Sequence, residues 1–135
     1  MMSFVKQVFR QFNRQCETKE NHIEEELRTR YYRVNLQSLF QSVKEILEND
    51  QHAKVVSDSI DHGEIAVEIN RGKKMFAIIT IITVKPYETA VDINVSTEQT
   101  VLLGAYPSLK AEIARIYQEL DKKHPYIGVG KHAAE

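Results

Sequence analysis

Residues 64–97 read EIAVEINRGKKMFAIITIITVKPYETAVDINVST. Ile65, Val67 and Ile69 alternate with Glu64, Ala66, Glu68 and Asn70, which is the period of a strand with one dry face. Gly72 supplies the turn that follows. Met75–Lys85 is apolar at odd and even positions alike, so it predicts a central strand covered on both sides. Pro86 and Tyr87 turn the chain, and Thr89–Thr97 alternates again, with Val91, Ile93 and Val95 inward and Asp92, Asn94 and Ser96 outward. Strands joined by such short turns form an antiparallel meander.

The pattern extends outward from this stretch. Upstream, Lys54–Ile60 predicts a further strand, joined to the meander by the Asp61-His62-Gly63 turn. Before it, Leu36, Leu39, Phe40, Val43, Ile46 and Leu47 fall on one helical stripe, with Asn35 placed to cap its start and a stop at 49–51. Thr29–Val34 is rich in β-formers and predicts a first strand. Downstream, Leu109, Ile113, Ile116, Tyr117 and Leu120 predict a closing helix. It starts near Pro107 and Ser108 and ends near His124, because Pro125 cannot continue it. Residues 100–106 read either as a short edge strand or as a connection.

The expected class is therefore α+β: an N-terminal amphipathic helix, then β-α-β-β-β-β-α with an antiparallel sheet and two helices packed on one face. The organisation reads as an amphipathic helix over 1–20, a charged linker over 21–28, a single α+β domain over 27–126 and a flexible tail over 127–135. Over residues 27–124 this order resembles small helix-grip-like cytosolic proteins of unknown function. The resemblance is one of topology and carries no motif. Larger helix-grip proteins hold lipids or other apolar ligands between sheet and helix, and this chain has fewer strands than they do.

The most distinctive segment is the first. Phe4, Val5, Val8, Phe9 and Phe12 share one helical face, and Lys6, Arg10 and Arg14 recur every four residues on another. A basic amphipathic helix of this kind suits a partner groove or an anionic surface. The same spacing suits a plainer role, covering the second face of the sheet in the same chain or across a dimer. Phe4, Val8, Phe12, Lys6 and Arg10 are thus the interaction residues that the sequence proposes. A pocket, if the fold has one, is expected between the closing helix and the sheet near Ile113, Ile116 and Tyr117.

Composition narrows the rest. The chain has 135 residues, enough for one domain, with 42% apolar and 27% charged residues. A net charge of −1 gives no general pull toward nucleic acid. The lone Cys16 excludes an internal disulfide and fits a reducing compartment. Lys6, Gln7, Arg10 and Gln11 interrupt the N-terminal apolar residues, so no secretory signal is expected and the location reads as cytoplasmic.

Candidate chemistry is sparse. No two histidines stand three or four residues apart, and no glycine-rich loop cradles a phosphate. Asp58, Asp61, His62 and Glu64 crowd one segment, yet a solvated hairpin turn explains them. Arg28, Arg30, Tyr31, Tyr32 and Arg33 interleave basic and aromatic residues, and an edge strand explains those, since Glu24–Glu26 precede them. Cys16 has no catalytic signature around it. No cofactor or metal is expected. The sequence favours a non-catalytic interaction module whose partner is a second copy or another protein. A small apolar-ligand domain is the alternative; membrane association and catalysis are the weaker readings, and no nucleic-acid partner is expected.

Overall fold

A computed structural model describes residues 14–98 and 105–129, without the side chains of Arg14 and Val129. The chain runs β1 (Arg14–Glu17), a short 3-10 turn (Glu25–Leu27), β2 (Arg30–Tyr32) and α1 (Leu36–Glu48). It continues through β3 (Ala53–Ser59), β4 (Glu64–Asn70), β5 (Lys74–Lys85) and β6 (Glu88–Thr97) to α2 (Tyr106–Lys123) and β7 (Tyr126–Val129). All named strand pairs are antiparallel, in the order β3-β4-β5-β6-β2-β7, with β1 also paired to β6.

The meander forms as its alternation requires. Ile65, Val67, Ile69, Ala77, Ile79, Ile81, Val91, Ile93 and Val95 are buried on one face. There they meet Leu39, Phe40, Val43 and Leu47 of α1 and Leu109, Ile113, Ile116 and Leu120 of α2. Both helices lie on that face, a two-layer solution that buries one stripe of each. Asn35 caps α1, its Oδ1 accepting from Ser38 N at 2.8 Å. α2 ends at Lys123, with His124 as its extended C-cap just before Pro125.

Three expectations change. Residues 14–17 are a strand, although the sequence assigns 1–20 to a helix. Gln15 and Glu17 are exposed while Cys16 is buried, so a period of two holds just where the basic residues suggest a period near four. The part of that helix over residues 1–13, with Phe4, Lys6, Val8, Arg10 and Phe12, lies outside the described residues. Residues 21–28, expected as a linker, pack instead: Leu27 sits in the core and Lys110 of α2 pairs with Glu24 and with Glu26. Finally, β2 is not an edge strand. β7, within the stretch read as a tail from 127, pairs along it, so Tyr31 and Tyr32 are fully buried. Residues 99–104 and 130–135 lie outside the described structure.

Candidate interaction surface

The face of the sheet opposite the helices is assembled in cross-strand rows. One row runs Gln15, Ser96, Phe76, Glu68 and Lys54 from β1 to β3. The next runs Glu17, Asn94, Ile78, Ala66 and Ser57. Then come Asp92, Thr80, Glu64 and Ser59, followed by Tyr31, Ala90 and Ile82. An apolar strip of Phe76, Ile78 and Ile82 therefore follows β5, interrupted by Thr80, with Ala66 and Ala90 beside it. Its character varies along its length: Ile78 is buried at 7% exposure, whereas Ile82 is 51% exposed and Val84 is exposed as well.

Carboxylates border the strip. Glu17, Glu64 and Glu68 stand on this face by register, with the ammonium groups of Lys54 and Lys74, while Glu88 is buried and pairs with Lys85 at 3.7 Å. At the β3 end the strip continues into a groove of about 430 Å³ lined by His52, Lys54, Glu68, Lys74, Phe76 and Glu98 among others. Its walls mix both signs of charge with an aromatic floor.

Where the strip reaches β1 and β2, the sheet has a seam. β1 pairs with β6 as far as Asn94, and β2 takes over at Val91, so residues 18–29 loop out between them. Asp92 closes the gap. Its Oδ1 accepts from Thr18 Oγ1 at 2.7 Å and from Thr29 Oγ1 at 2.5 Å. Thr18 in turn takes the Ile93 amide on its hydroxyl at 2.9 Å and gives its own amide to the Ile93 carbonyl. Burial raises the Asp92 carboxyl above its ordinary range, more than the two threonine hydroxyls lower it. Beside it the Tyr31 hydroxyl donates to Glu20, and burial together with that carboxylate pushes the phenol well up.

Two further clusters hold the helices. Arg71, on the β4–β5 hairpin, binds Asp50 after α1 and also Glu112 of α2, donating from Nε to Oε2 at 2.5 Å. Burial pushes the Asp50 carboxyl up, but the Arg71 hydrogen bond, the His52 amide and the nearby guanidinium charges together outweigh it and leave the group lowered from its ordinary value. At the other end, the Arg30 guanidinium lies 4.8 Å from the Tyr117 ring and 4.9 Å from the Tyr126 ring and donates to Asp121 at 2.7 Å. Tyr32 donates to the same carboxylate at 2.7 Å. This cluster ties β2, β7 and α2 together.

The residues singled out in the sequence fall in different places. Ile113, Ile116 and Tyr117 are core: all three are buried, and Tyr117 donates to the Val91 carbonyl at 2.7 Å. The groove lies on the opposite face of the sheet from them. Cys16 is buried, and desolvation raises its thiol, which disfavours the thiolate. In the Asp58–Glu64 turn the groups are not brought together. Asp58 faces Lys44 of α1 at 3.6 Å, while His62 Nδ1 shares a hydrogen bond with Ser59 at 2.8 Å. Among the described residues no three His, Cys, Asp or Glu side chains are placed to hold a metal ion, and no helix is long and apolar enough to cross a membrane.

Sequence reasoning passed over Arg71 and missed the bonding roles of Arg30 and Asp92. Asp92 left one signal: an outward carboxylate opposite an apolar strand, with threonines in both flanking arms. Arg71 and Arg30 left none, because their partners stand 21 to 91 residues away. No protein-family model matches the chain, and no curated protein does.

Proposed function

We propose that this protein is a non-catalytic interaction module that binds a basic amphipathic helix of a protein chain on the face of its sheet opposite α1 and α2. The observation that carries this reading is the set of apolar residues Phe76, Ile78 and Ile82 along β5, bordered by Glu17, Glu64 and Glu68. The apolar stripe of a helix covers part of such a strip, while its basic flank meets the carboxylates. The chain itself contains that pattern in Phe4, Val8 and Phe12 with Lys6 and Arg10, so self-association is built into the reading.

A labelled peptide of residues 1–14 tests it. The host is the full chain carrying Val8→Asp and Phe12→Asp, whose own segment cannot compete. Saturable binding that weakens with salt and disappears with Ile82→Asp is the expected result. Failure to bind at any salt concentration overturns the reading.

The groove beside Phe76 favours a second reading, a small amphiphilic ligand held by its aromatic floor and by Lys54 and Lys74. Native mass spectrometry of protein purified from cells distinguishes the two. A reproducible extra mass lost on Phe76→Asp supports the ligand, and a bare chain removes it.

A further inference from the structure

Four connections meet at one end of the sheet: residues 60–63 between β3 and β4, Pro86 and Tyr87 between β5 and β6, 33–35 before α1, and 124–125 between α2 and β7. The Gly63 carbonyl accepts the Ile81 amide, Tyr32 lies opposite both Thr89 and Tyr126, and the Arg33 amide reaches the Pro125 carbonyl, so the four stand level. More than half of the large apolar side chains exposed among the described residues gather here: Ile60, Ile82, Val84, Tyr87 and Tyr126. Tyr87 is the sharpest case. Lys85 lies opposite Glu88, which leaves a two-residue turn with Pro86 first and Tyr87 second. Tyr87 takes φ +59°, the left-handed region where such a turn ordinarily carries Gly. Its side chain is nevertheless 65% exposed, so packing within the chain recovers little of that strain.

Cations surround these residues. Arg33, Lys85 and Lys123 are exposed at the same end. Glu88 is buried and paired with Lys85, and Glu119 pairs with Lys122, which leaves Arg33 and Lys123 against Asp61. The apolar side chains stand out from separate turns on a convex rim. A fluid surface conforms to such a rim better than a fixed groove does, and the amphipathic ring of Tyr settles at the boundary between lipid and water. We propose that this end of the molecule docks on an anionic lipid surface. Tyr87, Val84 and Ile82 enter the headgroup region, and Arg33, Lys85 and Lys123 meet lipid phosphates. Docking here leaves Phe76 and Ile78 uncovered and does not depend on a partner helix.

The chain has no tryptophan, so Tyr87→Trp supplies a single reporter of insertion. The host is the full chain carrying Val8→Asp and Phe12→Asp, which keeps the N-terminal apolar residues from supplying the binding. It is mixed with vesicles of phosphatidylcholine alone or of phosphatidylcholine with phosphatidylserine. Blue-shifted emission, quenched by acyl-brominated lipid on the serine-containing vesicles only, is the expected result. Ile23→Trp in the same host should not respond, because Ile23 adjoins Glu24, which pairs with Lys110 in the first half of α2, away from the docking end. Arg33→Ala and Lys123→Ala should each weaken vesicle affinity about fivefold. Tyr87→Gly relieves the turn, so it should melt no lower than the host while its co-sedimentation with vesicles falls about tenfold. An unquenched Tyr87→Trp reporter, equal quenching on both vesicles, quenching of the Ile23→Trp reporter, or a lower melting temperature for Tyr87→Gly overturns the docking.

Discussion

Asp92 shows how one side chain can repair a break in a sheet. The pairing of β6 changes from β1 to β2 beside it, and its carboxylate takes the hydroxyls of Thr18 and Thr29 from the two arms. Asp92→Ala leaves those hydroxyls without their acceptor and should cost about 1–3 kcal/mol in urea denaturation. Asp92→Asn keeps an acceptor and removes the buried charge. The folded carboxyl is held above its ordinary range, so its favourable contribution is full below that range and is lost as pH rises through the raised value. The stability of Asp92→Asn relative to wild type should therefore increase between pH ~4 and pH ~7. A flat difference would mean that the seam is solvated. Gly63 is constrained in another way. Its φ is +63°, and a Cβ there would lie 2.1 Å from the Ile81 carbonyl oxygen. Gly63→Ala should destabilise by more than the ~1–3 kcal/mol of ordinary backbone strain, because the β3–β4 turn must also move away from β5. A thermal melt reads this directly.

At the level of elements, ion pairs and not apolar contacts alone fix where the helices end on the sheet. Arg71 reaches Asp50 beyond the last turn of α1 and Glu112 within α2, and Glu112 is only 4% exposed. Arg71→Met should cost about 3 kcal/mol, because it leaves the buried Glu112 carboxylate with only the longer Arg115 pair at 3.6 Å. Arg71→Met combined with Glu112→Gln should recover part of that loss. A double-mutant cycle with no coupling would show that the two groups act independently. At the N-terminus of α1, Asn35→Ala removes the acceptor for Ser38 N and should cost ~1 kcal/mol.

For the whole molecule, the sheet order decides which parts open first. β5 and β6 are paired on both sides and carry most of the buried face, while β3 and β7 each have one partner among the described strands. Hydrogen exchange should show β5 and β6 amides protected to the level of global unfolding and β3 and β7 amides exchanging through smaller openings. Equal protection in all strands would mean a single cooperative unit. The proposed partner face lies across the most protected strands, so binding there needs no unfolding of its platform.

Local pattern settled much of this protein. The strands from Ala53 to Thr97, α1 with its Asn35 cap and α2 with its stop at Pro125 were all legible, because each rests on periodicity or turn chemistry within a few residues. Four-residue β1 and β7 and three-residue β2 were not legible in full: strands this short show almost no period, and β1 and β7 exist through what they pair with. The same limit hid Asp92, Arg71 and Arg30, whose roles depend on partners brought from far along the chain. It also led the expected pocket to Ile113, Ile116 and Tyr117, which packing turned into core. Hydrophobic spacing tells which side of an element is dry, but only the assembled sheet decides which face packs against α1 and α2 and which carries Phe76, Ile78 and Ile82 beside carboxylates.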